Sequence, residues 1–162
     1  MKEFKSIGDF IVHLATLEAA VVIELHHGLE KVARGVERSA KDEIGFYQPA
    51  VGPFPAWAEL AESTEAEKAR LGYPTEAPLL RTGDMRDNIS HEVRGLEAVI
   101  GSPDERAVYH EFGTSKMPPR PIFGPAAIHN REKIAAVLGA AAVSGLIGGA
   151  RVHPALGYDF EA

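Results

Sequence analysis

The stretch Asp9–Ala40, DFIVHLATLEAAVVIELHHGLEKVARGVERSA, decides how the rest of the chain is read. Ile11, Leu14, Leu17, Val21, Val22, Leu25, Leu29, Val32 and Val36 recur at steps of three and four, which lines apolar side chains along one helix face. Glu18, Glu30, Lys31, Arg34, Glu37, Arg38 and Lys41 fall on the other face. Gly28 and Gly35 each weaken such a helix by up to roughly 1 kcal/mol relative to Ala, and fit a bend or a close helix contact. The spacing predicts one helix over 9–40, long for a chain of 162 residues.

Beyond it the pattern changes. Gln48–Pro55 (QPAVGPFP) suits neither a helix nor a central strand, because its prolines lack backbone donors and fix φ. Trp57 follows, then Thr64 and Glu67 in capping-box spacing predict a helix to Leu71, with Gly72 as its left-handed stop. Residues 48–80 as a whole read as a long ordered excursion outside the core, the kind of segment small domains keep for function or partners. Thr82-Gly83-Asp84 predicts a short helical turn through Arg86. Ile89, His91 and Val93 alternate with polar residues, Arg94-Gly95 supplies a turn, and Leu96–Ile100 continues apolar, which predicts a hairpin. Ser102-Pro103-Asp104-Glu105 combines an N-cap Ser, Pro at the first helical position and an early Glu, so a short helix is expected to Phe112, ended by Gly113. Met117-Pro118-Pro119-Arg120-Pro121 must be extended. Gly124-Pro125 opens a last helix with Ile128, Ile134, Val137, Leu138 and Val143 as its stripe, and Arg151–Ala162 has no clear period. The fold class that follows is α+β: a small antiparallel sheet packed with a long N-terminal helix and a second helix near the C-terminus, in a single domain over 1–162.

Composition bounds the chemistry. The chain is 45% hydrophobic and 25% charged, at the globular average, so wholesale disorder is not expected. There is no cysteine, which removes disulfides and thiolate zinc sites and fits folding in a reducing compartment. Charges run through Met1–Phe10 where the apolar core of a signal peptide would begin, so none is expected. Ile134–Ala150 carries no charge, but it is shorter than the roughly 20 residues of a spanning helix and rich in Ala and Gly. A buried or subunit-packed helix is the expectation there, and no membrane. A net charge of −6 lacks the basic footprint of a DNA binder, yet suits a wall past which DNA slides without sticking.

Seven histidines raise the question of catalysis or metal. His26 and His27 are about 100° apart on a helix, and His13 is too far along it to share an ion with His27. No two histidines stand four apart with an intervening Glu, as zincin-type sites require. His110-Glu111 and His91-Glu92 are sequence neighbours that point apart, so neither is arranged for proton transfer. A Gly-x-Ser-x-Gly elbow, a Walker loop and an Asp-x-Asp pair are all missing. The expectation is a protein without catalytic residues, cofactor or metal.

Four segments in series carry a resemblance. Leu79-Leu80-Arg81-Thr82-Gly83-Asp84-Met85-Arg86-Asp87-Asn88-Ile89 resembles the L-x-x-T-G-x-L-x-x-S-I stretch of phage neck and tail-completion proteins. Val99-Ile100-Gly101-Ser102 is similar to their V-G-S strand end, and Tyr109-His110-Glu111-Phe112-Gly113-Thr114 to Y-A-x-x-H-E-F-G-T. Met117–Ala126 resembles I-P-A-R-P-F-L-x-P-A. Trp57-Ala58-Glu59-Leu60 followed by Thr64 and Lys68 is similar to a feature of the related virion morphogenesis proteins of Mu-like phages. Met85 stands where Leu is usual and Ile122-Phe123 where Phe-Leu is usual, swaps that keep size and apolarity.

The resemblance implies a virion structural protein at the head–tail junction of a long-tailed bacteriophage, assembled in the host cytoplasm. It would form a ring with itself, a hexamer as phage tails are, between a head-closure or connector protein above and a tail terminator or tail tube protein below. DNA would pass through its channel without specific binding. The expected contact residues are Trp57, Leu79, Leu80, Phe112, Gly113, Thr114, Pro118, Pro119, Arg120, Pro121 and Phe123. Trp57 is either a partner anchor or a satellite core residue; Arg120 either meets a neighbour's carboxylate or caps a carbonyl of its own chain. Gly139, Ala142, Gly145 and Gly149 suit ring packing and the chain's own core alike. A non-virion assembly factor is the alternative, and a hydrolase using His110 and Glu111 on zinc a more remote one.

Overall fold

The periodic stretch forms a helix, α1, over Ile7–Glu43, beginning two residues earlier and ending three later than its spacing predicted. Ser6 Oγ accepts the Asp9 amide at 3.1 Å, an N-cap outside the apolar pattern. The structure, a computed structural model, describes residues 5–147. Arg151–Ala162 and Gly149 lie outside the described residues. After α1 come α2 (Glu62–Leu71), α3 (Asp84–Asp87), β1 (Ser90–Arg94), β2 (Glu97–Gly101), α4 (Glu105–Phe112), α5 (Phe123–His129) and α6 (Arg131–Leu146). The protein is therefore α+β, with β1 and β2 as a two-stranded antiparallel sheet.

Three local expectations shift for identifiable reasons. α2 starts at Glu62, so Thr64 lies inside it and the capping box does not form; the Ala61 carbonyl instead takes the amides of Thr64 (2.8 Å) and Glu65 (3.1 Å). α4 starts at Glu105 and is capped by Asp104, not Ser102, because the Asp104 carboxylate both accepts the Arg106 amide (3.0 Å) and pairs with the Arg106 guanidinium (2.5 Å). Ser102 Oγ accepts the Asp104 amide at 3.2 Å. The last helix is split into α5 and α6 at Asn130, whose Nδ2 donates to Ala126 O (2.8 Å) and Ser39 Oγ (2.7 Å).

The described chain divides into two compact units. The first comprises residues 5–32, 93–98 and 132–147. In it α6 runs antiparallel to the first part of α1: Gly28 lies against Val137, Leu138 and Ala141, and Gly145 against Val21. A Cβ at Gly145 would collide with the Val21 backbone, so this residue of the small-residue stripe serves the chain's own core. His26 Nδ1 donates to the Gly95 carbonyl at 2.9 Å, tying the hairpin turn to α1. Apolar side chains of the first turns of α1, Ile7, Phe10, Ile11, Val12 and Leu14, stay exposed. Among the described residues no helix is long and apolar enough to cross a membrane.

The second unit comprises 33–92 and 99–131. Its buried core includes Ala33, Val36 and Ala40 of α1 together with Ile44, Met85, Ile89, Ala107, Ile122 and Ala126. His91 on β1 pairs with Glu37 on α1, and Lys41 and His91 together hold the Glu37 carboxyl below its usual range. Part of the 48–80 excursion is core after all. Trp57, Lys68, Ala77 and Pro78 are buried, and Gly45 N donates to Pro78 O at 2.9 Å.

Candidate functional site

The proline-fixed run after Met117 has no ladder to join, so its polar groups must find partners elsewhere. The Arg120 amide donates to His110 O at 2.7 Å, which lays the run along α4. Its guanidinium donates to the carbonyls of Ala58 (3.2 and 2.8 Å) and Glu59 (3.0 Å), and Trp57 Nε1 donates to Pro121 O at 3.2 Å. Trp57 and Arg120, 5% and 4% exposed, are thus spent inside the chain, holding the segment after Pro55 to the segment before Ile122.

Glu111 completes this frame. Its carboxylate accepts the amides of Ile122 (2.7 Å), Phe123 (3.2 Å) and Gly124 (3.4 Å), the free donors at the start of α5. It caps that helix from eleven residues upstream. His110, next to it, points the other way, and its Nδ1 is buried without a hydrogen-bond partner. Burial, then the Arg120 and Arg106 charges, push His110 down to about 4, so the ring is neutral. Glu43, at the end of α1, hydrogen-bonds His129 Nδ1 through Oε1 at 3.1 Å while its Oε2 is buried and unpartnered. Burial and the nearby Glu111 charge push the Glu43 carboxyl up to about 8. Among the described residues no three His, Asp or Glu side chains gather where a metal could be held.

On the outer side of the frame lies a groove of about 560 Å³. Leu60, Leu79, Leu80, Met85, Met117 and Pro118 give it an apolar lining. Lys68, Arg81, Arg106, Lys116 and Arg120 also line it, against one carboxylate, Glu59. Two of these cations have local counterions: Arg106 pairs with Asp104, and Arg81 pairs with Glu67 at 3.3 Å while lying over the Tyr73 ring. Lys68 and Arg120 make no ion pair among the described residues, although the nearby Glu65 charge favours the Lys68 ammonium. Lys68 is 2% exposed and its Nζ donates to Ala77 O at 2.5 Å, while burial lowers the pKa of both groups.

Beside the groove Gly113 turns the chain out of α4. With φ 73° it sits where a side chain is strained, and a Cβ there would lie 2.8 Å from Pro119 N. Thr114 and Met117 then exchange backbone hydrogen bonds (2.9 and 3.3 Å) to close a tight loop. Phe112, 79% exposed, stands at its root with Val108 and Tyr109 exposed on the same helix.

The residues expected to make contacts therefore separate. Phe112, Thr114, Pro118 and Pro119 are exposed; Leu79, Leu80, Gly113 and Phe123 are half-buried; Trp57, Arg120 and Pro121 are buried. The structure brings Leu79, Leu80, Pro118 and Arg120 together in the groove, and leaves Trp57, Pro121 and Phe123 behind it. Sequence reasoning missed the groove's charges. Arg81, Arg106 and Lys116 look like ordinary surface cations, and nothing in α2, which lacks an apolar face, marks Lys68 as buried. No protein-family model, no curated protein and no solved structure matches the chain.

Proposed function

We propose that the protein is a structural component of the head–tail junction of a long-tailed bacteriophage, a neck or tail-completion ring protein. One observation carries the reading. The four segments that resemble the neck family in order and spacing all fall in the second unit, where three of them meet around one frame and groove. Residues 109–114 cap and bracket residues 117–126 through Glu111 and the His110 carbonyl. Residues 79–85 face them across the groove, and the Trp57 segment is fastened to Pro121 and Arg120.

The exposed surface supports an assembling role. Contiguous apolar surface on a soluble chain marks a contact with another molecule. The chain offers two such faces, the N-terminal turns of α1 and the Val108–Phe112 face of α4. Pro118 and Pro119 add a rigid element that loses little entropy on docking.

The test is a deletion of the gene from the phage genome, with lysates viewed by electron microscopy. The reading predicts DNA-filled heads and separate tails that fail to join, and restoration of complete particles by the plasmid-borne gene. Complete, infectious particles from the deletion phage would remove the reading.

A further inference from the structure

The groove presents an electrostatic problem. Lys68 and Arg120 are almost fully buried, at 2% and 4% exposure, and neither takes part in an ion pair among the described residues. Their donors are met by backbone carbonyls, which carry no net charge, and Glu65, near enough to favour the Lys68 ammonium, turns its carboxylate oxygens to the Glu76 amide. Burying a cation is costly unless an anion shares the site. Lys116, exposed at the rim, adds a third positive charge without an ion pair. In a chain of net charge −6, such a concentration points to an acidic occupant, and the apolar lining between the cations points to one carrying bulky apolar side chains as well.

The chain itself contains a segment of that chemistry. Tyr158-Asp159-Phe160-Glu161 alternates aromatic and acidic residues. In an extended strand, alternation sends the two kinds of side chain to opposite sides. Ile147 is the last described residue, and the 15 residues after it can span about 50 Å when extended, enough to reach a neighbouring molecule.

We infer that the groove between α2, the 79–85 segment and the 116–120 run receives the acidic, aromatic segment around Tyr158–Glu161 from a second copy of the chain. Passed on from copy to copy, the contact is head-to-tail, and it closes into a ring where its rotation allows. The inference rests on the ring reading only in taking the occupant from a second copy.

The experiment has two parts, both on the full-length chain. Light scattering compares the chain with an Asp159→Asn, Glu161→Gln variant, whose changes lie outside the described units. The expected result is a discrete assembly for the first and a protomer for the second. A fluorescent peptide of residues 154–162 is then titrated into the variant. Saturable binding is expected, at least tenfold weaker for a peptide with the same two substitutions and at least tenfold weaker to a variant also carrying Lys116→Glu. Equal binding of the two peptides, or none, overturns the inference. So does a native chain that is a monomer at every concentration, since the segment then has no second copy to enter. Finding the chain in phage particles while these measurements fail sinks the inference alone; absence from particles with binding intact sinks the phage reading alone.

Discussion

Glu43 and Glu111 lie in one unit, and the fold uses their carboxyls in opposite ways. Glu111 is engaged as an acceptor, because three amides at the start of α5 point at it. Glu111→Ala is expected to lower stability by about 1–2 kcal/mol, as loss of an N-cap does, with Glu111→Gln retaining part of it; thermal denaturation measures both. Glu43 is kept neutral. Folded it holds its proton up to about pH 8, while unfolded it ionises near 4.5, so the folded state binds more protons across that window and stability falls as pH rises. His110 acts in the other sense, since it ionises near 6.5 unfolded and only near 4 folded, and stability falls as pH drops through that interval. The two slopes oppose each other from 4.5 to 6.5, and above 6.5 only that of Glu43 remains. Melting temperature is therefore expected to fall between pH 6.5 and 8, and Glu43→Gln to flatten that fall. An unchanged slope in the variant would assign it to other groups.

At the scale of the element, α1 and the hairpin were legible because periods of 3.6 and 2 are written locally in the residues that make them. The broken last helix was not. Asn130 stops it through a bond to Ser39, ninety-one residues away, and no window of sequence holds both. The same holds for the site: Pro118–Pro121 could be read as rigid, but which way Arg120 points is settled by carbonyls about sixty residues upstream. Two predictions belong here. Gly145→Ala pushes a methyl group into the Val21 backbone and should cost about 1–3 kcal/mol, read from denaturant unfolding. Ile11→Glu with Leu14→Glu falls on exposed turns of α1 and should change stability by no more than about 0.5 kcal/mol per site. If that face is an assembly contact, sedimentation will show the doubly substituted chain at lower mass than the native one. Equal masses would free the face of that role.

The whole molecule combines an acidic balance, apolar surfaces at α1 and α4, and a groove whose cations outnumber its carboxylates. The polar groups of the frame are engaged in holding backbone. Glu111 is taken by three amides, Arg120 by two carbonyls and Trp57 by one. The charge of the groove was not legible in the sequence, because it arises from α2, α4 and the loops together. The most direct measurement of the central claim is quantitative mass spectrometry of gradient-purified phage particles. The account predicts about six copies of the chain per particle, as one sixfold ring requires. Its absence from complete, infectious particles would contradict the account and leave an assembly factor in its place.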